Sequence, residues 1–255
     1  MPLHAITREV SSSINRCELT FHDRLPIDLG KAREQHRAYA NCLTELGLKV
    51  ISLPEEPDFP DSVFVEDAAI VLDEIAIIPV MGALSRRDET KSLARELSKY
   101  RPIRYLTEPA TLDGGDVLQV GRQLFVGVTA RTNLPAINQL REILRPFGYE
   151  VEPVEVRDIL HLKSACSYLR ENTLLVNRAF LDEAAFRNCE LIDVPAHEPA
   201  AANVLTVNDS VIIATSFPET AALLGRKGYA VRPVDVSELQ KAEAGVTCCS
   251  VIFRA

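Results

Sequence analysis

Five polar residues recur along this chain at nearly constant spacing, and few folds accommodate such a rhythm. Asp67, Asp113, His161, Asn203 and Cys248 are separated by steps of 46, 48, 42 and 45 residues. Each stands at, or just before, a run that reads as a β-strand. A period of this length marks a repeated supersecondary unit. If the units are arranged in a ring, equivalent positions face one centre. A thiol, an imidazole and carboxylates then meet at one point.

Two segments show the unit most clearly. Residues 116–156 contain DVLQVGRQLFVGV, TNLPAINQLREILRPFG and YEVEPVEV, and residues 203–236 contain NVLTVNDSVIIAT, PETAALLGRKG and YAVRPVDV. Both predict strand, tight turn, strand, helix and a further strand. Gly148 and Gly228 lie just past the helices, where a left-handed residue ends a helix well. A looser copy comprises AAIVLDEIAIIPV, SRRDETKSLARELSKY and IRYL, and another comprises SYLRENTLLVN, DEAAFRN and ELIDVP. The fifth unit is split between the termini, with HAITREV, KAREQHRAYANCLTELG and KVISLP at the start and CCSVIF at the end. Pairing the two ends removes an exposed sheet edge. The expected fold is therefore α/β, a five-bladed pseudo-symmetric ring of ββαβ units in a single domain over 1–255. An ordinary open α/β sheet is the alternative.

Apolar residues at 47% and charged residues at 25% suit a soluble globular chain of 255 residues. The net charge of −8 argues against nucleic acid or an anionic membrane as the main partner, and mildly attracts a small cation. The start, MPLHAITREV, lacks the features of a signal peptide, and the most apolar stretch, 68–84, is broken by Asp73 and Glu74. Six cysteines show no C-x-x-C spacing, so free thiols and a cytoplasmic location are expected. Homodimerisation is left open.

The residues in phase carry the chemistry. Cys248 and Cys249 are adjacent, so in a strand they point to opposite sides. Two small buried hydrophobes is the plainer reading, but Cys248 shares the phase of the repeat. A nucleophilic thiol also needs a cation or base beside it. His161, between Leu160 and Leu162, can give and take protons near neutral pH. Asp113, in LDGGD, is either a turn residue or the carboxylate that orients that imidazole. Asp116 reads as a turn aspartate. Asp61, Glu66 and Asp67 form an acidic cluster in an apolar segment, costly unless a positive group binds among them, and a guanidinium suits paired carboxylates. Arg86 and Arg131 are surface residues or clamps for a substrate carboxylate. No spacing supports a dedicated metal site, and no phosphate loop is present.

At AREQHRAY, FPDSVFVED, SRRDE, TLDGGDVL, FVGVTARTN, LHLKS and TCCSV the chain resembles the dimethylarginine dimethylaminohydrolases, within the guanidine-modifying pentein superfamily. The resemblance spans nearly the whole length. It implies a five-bladed α/β-propeller with the active site on its pseudo-axis, and hydrolysis of N-methylated arginines without a cofactor. It assigns Cys248 as nucleophile, His161 as general acid and base, and Asp113 as its orienting partner. It places Glu66 and Asp67 at the substrate guanidinium, Arg86 and Arg131 at the α-carboxylate and Asp61 near the α-amino group. Leu19 falls in a lid, and Ala242 and Glu243 fall in the pocket wall. The family's Asp-Gly before the nucleophile is here Glu243-Ala244, which leaves the wall in question. An arginine deiminase is the alternative enzyme. An amidinotransferase fits less well, since no acceptor subsite is evident. From another class comes a non-catalytic propeller such as a ribosome anti-association factor, which would have no need of a Cys-His-Asp set.

Overall fold

Fifteen short strands form five separate three-stranded sheets in a computed structural model that describes residues 2–255. Strand β1 (Leu3–Arg8) leads through helix α1 (Leu29–Glu45) to β2 (Lys49–Leu53), which lies parallel to it. The next unit is β3 (Ile70–Val71), β4 (Ala76–Ile78), α2 (Thr90–Leu97) and β5 (Ile103–Tyr105). The third is β6 (Val117–Val120), β7 (Gln123–Val128), α3 (Leu134–Leu144) and β8 (Glu150–Glu155). A one-turn helix, α4 (Leu162–Ala165), precedes β9 (Cys166–Tyr168), β10 (Thr173–Val176) and β11 (Glu190–Asp193). The last full unit is β12 (Leu205–Val207), β13 (Ser210–Ala214), α5 (Pro218–Arg226) and β14 (Ala230–Val234). Helix α6 (Ser237–Gln240) then leads to β15 (Val251–Arg254).

In every sheet the first two strands are antiparallel and the last two parallel, as the ββαβ reading requires. The termini complete the fifth sheet: β15 runs antiparallel to β1, with Leu3 opposite Arg254 and Ile6 opposite Val251.

Helix positions follow local chemistry. Asp28 caps α1 by accepting from the Lys31 N–H at 3.0 Å, and buried Ala32, Gln35, His36, Tyr39 and Leu43 recur at helical spacing. Asn133 caps α3 through the Ala136 N–H at 3.1 Å. Pro146 ends that helix in a 3₁₀ turn, and Gly148 follows in the left-handed region. The segment expected as a helix over DEAAFRN is only a 3₁₀ turn, Glu183–Phe186.

Middle strands β10 and β13 are almost wholly buried, whereas outer strands such as β14 are largely exposed. A middle strand is covered by its own helix on one face and by the next unit on the other, which explains its unbroken apolar run. Phe125 of β7, for instance, packs on Phe186 of the following unit with ring centroids 4.7 Å apart. Burying each such side chain stabilises the fold by roughly 1.5–3 kcal/mol. A cavity of about 290 Å³ is lined by residues of β3, β6, β9, β12 and β15, the first strand of every sheet.

The cysteine pair departs from expectation. Cys248 and Cys249 lie in a turn, and β15 begins only at Val251. Their differing environments arise from that turn and not from strand alternation. Cys249 is fully buried, and Cys248 is half-buried. Among the described residues no helix is long and apolar enough to cross a membrane.

Candidate active site

The five recurring residues all sit two to five positions before the first strand of their sheets, and hydrogen bonds made by them or their near neighbours link these strand entries in sequence. Asp67 Oδ1 accepts the Gly115 N–H at 3.0 Å. His161 Nε2 lies 3.2 Å from Asp113 Oδ2. Asn203 Nδ2 donates to the Lys163 carbonyl at 2.9 Å and to Thr247 Oγ1 at 3.0 Å, while its Oδ1 accepts the Thr247 N–H at 3.1 Å. The Glu66 N–H donates to the Cys248 carbonyl at 3.2 Å. Every unit is thus tied to two others at its strand entry.

The glycines of LDGGD serve close approach more than a sharp turn. A Cβ on Gly115 would lie 2.6 Å from His161 Nδ1 and 2.7 Å from Asp67 Oδ1. Only a residue without a side chain lets the backbone donate to Asp67 while the imidazole passes over it. Asp113 is fully buried behind the imidazole, and its other oxygen accepts the Gly82 N–H at 2.9 Å.

His161 stands between two carboxylates, with Nδ1 3.8 Å from Asp67 Oδ1. Burial opposes its charge, but Asp67, Asp116 and Asp113 outweigh burial and raise its pKa to about 9. Asp67 is held below the ordinary carboxylate range, because His161 and Arg86 overcome the cost of burial. The Cys248 thiol is pushed up to about 12 by burial and by Glu66 and Asp67, against the Gly245 N–H that reaches Sγ at 3.3 Å. Both shifts favour, at neutral pH, an imidazolium and a protonated thiol lining the same pocket.

Cys248, His161, Asp67, Asp61, Arg86 and Arg131 line one small pocket, as do Ala242 and Glu243. Its free space is about 20 Å³, room for a single water. Leu160, Phe64, Ala242 and Ala244 supply its apolar surface.

Several expected binding residues are placed differently. Arg86 is buried, with Nη1 donating to Asp67 Oδ2 at 2.8 Å, and Nε and Nη2 to Glu89 Oε2 at 3.1 and 3.0 Å. Nη2 also meets the Asp61 and Phe64 carbonyls. The cation among the acids is therefore the protein's own. Glu66 faces away from the pocket, toward the 290 Å³ cavity, where it bonds Lys163 Nζ at 2.6 Å and Thr247 Oγ1 at 2.6 Å. Leu19 does not line the pocket; it packs against the core that contains Ala242 and Ala244. Its neighbours do reach the site: the Glu18 N–H donates to Asp61 at 3.1 Å, and Thr20 Oγ1 accepts from Arg131 at 3.3 Å. Arg131 Nη1 also lies 3.7 Å from Asp113.

Asp116 is not a simple turn residue. It accepts from Thr132 Oγ1 at 2.6 Å, Thr129 Oγ1 at 2.8 Å and the Leu162 N–H at 2.9 Å, fixing the residue after His161. Burial raises its pKa to about 6. Sequence reasoning also passed over Glu89, whose only signal is its place three residues after Arg86. Among the described residues no group of three or more His, Cys, Asp or Glu is arranged to hold a metal ion.

The family profile described as N,N dimethylarginine dimethylhydrolase, eukaryotic, matches residues 2–251. The chain belongs to the dimethylarginine dimethylhydrolase family. The N(G),N(G)-dimethylarginine dimethylaminohydrolase of Pseudomonas aeruginosa is 36% identical over 252 residues, covering 98% of this chain and 99% of that protein. The enzyme of the same name from Streptomyces coelicolor is also 36% identical, over 98% of this chain and 96% of its own length. A solved structure of the Pseudomonas aeruginosa protein, a cysteine-to-serine mutant complexed with citrulline, superposes with a TM-score of 0.93, at 35% identity over 98% of both chains.

Within this dimethylarginine dimethylhydrolase family member, the Glu243-Ala244 departure is resolved in an unexpected way. Glu243, which stands where the family has Asp, adopts positive φ, at 59°, and Ala244 is buried. A left-handed glutamate costs roughly 1 kcal/mol or more. Its carboxylate offsets that cost by accepting the N–H groups of Thr20, Phe21 and His22.

Proposed function

We propose that this protein hydrolyses N-methylated L-arginines, releasing L-citrulline and methylamine or dimethylamine. The observation that carries the reading is the convergence of Cys248, His161 and Asp67 on one pocket, with Asp113 bonded to the imidazole from behind.

The guanidinium binds against Asp67, which keeps Oδ1 near His161 while Arg86 holds Oδ2. Bringing a cation beside Cys248 lowers the cost of the thiolate, so the substrate itself drives loss of the thiol proton to solvent. The thiolate attacks the central guanidine carbon, forming a C–S bond. His161, protonated near neutral pH, gives its proton to the departing amine as the C–N bond breaks, leaving a thiouronium on Cys248. Neutral His161 then takes a proton from water, and the hydroxide adds to the same carbon. Collapse expels the Cys248 thiolate, and the remaining hydroxyl proton is lost as citrulline forms. Asp113 keeps the imidazole oriented throughout. The chemistry calls for water and no cofactor.

The apolar surface from Leu160, Phe64 and Ala244 supports a preference for a methylated nitrogen over NH₂. Asp61 and Arg131 serve the amino-acid end. The strand-entry hydrogen bonds and the cavity bordered by all five first strands support a closed five-bladed α/β-propeller, and we read 1–255 as one catalytic domain in the cytoplasm.

Purified protein incubated with monomethyl-, dimethyl- and unmodified L-arginine tests the reading. We expect citrulline and the matching amine, with kcat/KM higher for the methylated substrates, and none from Cys248→Ser. Faster turnover of arginine than of either methylated form would make it a deiminase. Substantial turnover by Cys248→Ser would overturn the mechanism.

A further inference from the structure

A carboxylate that collects three consecutive backbone N–H groups forms an anion-in-nest anchor, stronger than an isolated neutral hydrogen bond. Glu243 Oε1 accepts from Thr20, Phe21 and His22 at 2.9, 2.6 and 2.7 Å, and Oε2 accepts from Thr20 at 3.1 Å. These partners lie more than two hundred residues away in sequence. With Asp61 holding Glu18 and Arg131 holding Thr20, they fasten the segment from Glu18 to His22 across the pocket.

The pocket below has about 20 Å³ of free space, too little for an amino acid. Beside it lies a cavity of about 260 Å³, bounded by Phe21 and His22 and sharing Leu160, Glu243 and Ala244 with the pocket. Glu243 therefore stands on the partition between a narrow reactive space and a larger apolar one, and it holds a segment whose Glu18 borders the first and whose Phe21 and His22 border the second. We propose that Glu243 is a positioning residue that acts through residues 20–22, latching over the site the segment that the family resemblance makes a lid, so that release of this carboxylate latch precedes substrate entry. It makes this contribution through the backbone N–H groups of the segment. The consequence for ligand entry rests on the functional reading above; the latch itself does not.

Residue-resolved hydrogen exchange in the free protein separates the two. Glu243→Gly suits the positive φ and removes the carboxylate, while Glu243→Gln keeps an oxygen acceptor and removes the charge. Exchange of the three amides at 20–22 should accelerate by on the order of a hundredfold in the glycine variant and tenfold in the glutamine variant. Glu243→Asp should recover part of the protection. Exchange in the buried strands should not change, and trypsin should cut faster after the exposed Arg24. Stopped-flow binding of L-citrulline should show a faster association rate. Unchanged exchange at 20–22 in Glu243→Gly would overturn the latch, and exchange raised throughout the chain would reduce Glu243 to a structural residue. Local acceleration in a protein that binds no citrulline would uphold the latch and sink the functional reading instead.

Discussion

Asp113 and His161, 48 residues apart in the chain, meet through Oδ2 and Nε2 at 3.2 Å, with the carboxylate fully buried. The bond fixes one ring nitrogen and leaves the other toward Asp67. An asparagine at 113 keeps the shape but removes the charge and offers an amide in place of one oxygen. Asp113→Asn should lower kcat by on the order of a hundredfold or more with little change in KM, since the lost function is orientation of the proton donor. Steady-state kinetics on a methylated arginine checks this. Wild-type kcat would make Asp113 a turn residue.

The same imidazole links the site to stability. His161 titrates at about 9 in the folded protein and near the ordinary 6.5 when unfolded. A raised pKa means that its charge stabilises the fold fully below about 6.5, and that this contribution is lost as pH rises through 9. His161→Gln cannot carry the charge, so the variant should be less stable than wild type at pH 6.5, by on the order of 2–3 kcal/mol. The gap should narrow steadily toward pH 10. Urea midpoints across that range measure it, and a gap independent of pH would contradict the charge interaction with Asp67, Asp116 and Asp113.

Gly115 offers a steric test. An added methyl would strike both His161 Nδ1 and Asp67 Oδ1, neither of which can swing away without giving up a buried partner. Gly115→Ala should fold, destabilised by about 1–3 kcal/mol, and lose at least a hundredfold in kcat/KM. Thermal melts paired with kinetics distinguish this from collapse of the fold. Near-normal activity would show that the imidazole has room to move.

Much of this architecture was legible because repetition is a one-dimensional signal. Asp67, Asp113, His161, Asn203 and Cys248 keep phase since each enters the first strand of a unit, and the strand and helix patterns follow from period and glycine placement. Burial within the entries was not legible. Arg86 looks like a helix-start surface residue until Glu89, Asp67 and two carbonyls close around it. Asp116 sits in a sequence that suits a local turn, yet its partners Thr129 and Thr132 come from the turn between β7 and α3, and Leu162 from the next unit. Glu66 and Asp67 are neighbours that face opposite sides of the strand entry, one to the cavity and one to the pocket. Such divisions depend on packing between units, which local pattern does not encode.

The thiol gives the last test. With Cys248 raised to about 12 by burial and by Glu66 and Asp67, a neutral haloacetamide should alkylate it slowly at pH 7, and faster as pH climbs. A haloacetamidine of similar size carries a positive charge. Docked against Asp67, that charge offsets the acids and favours the thiolate, as we propose the substrate does. Inactivation by the cation at pH 7 should exceed that by the neutral reagent by more than their difference with a free thiol in solution. Mass spectrometry should find the label on Cys248 and not on fully buried Cys249, and Cys249→Ser should react like wild type. Equal enhancement of both reagents at neutral pH would mean that the thiolate exists before any cation arrives, and activation by substrate would fail.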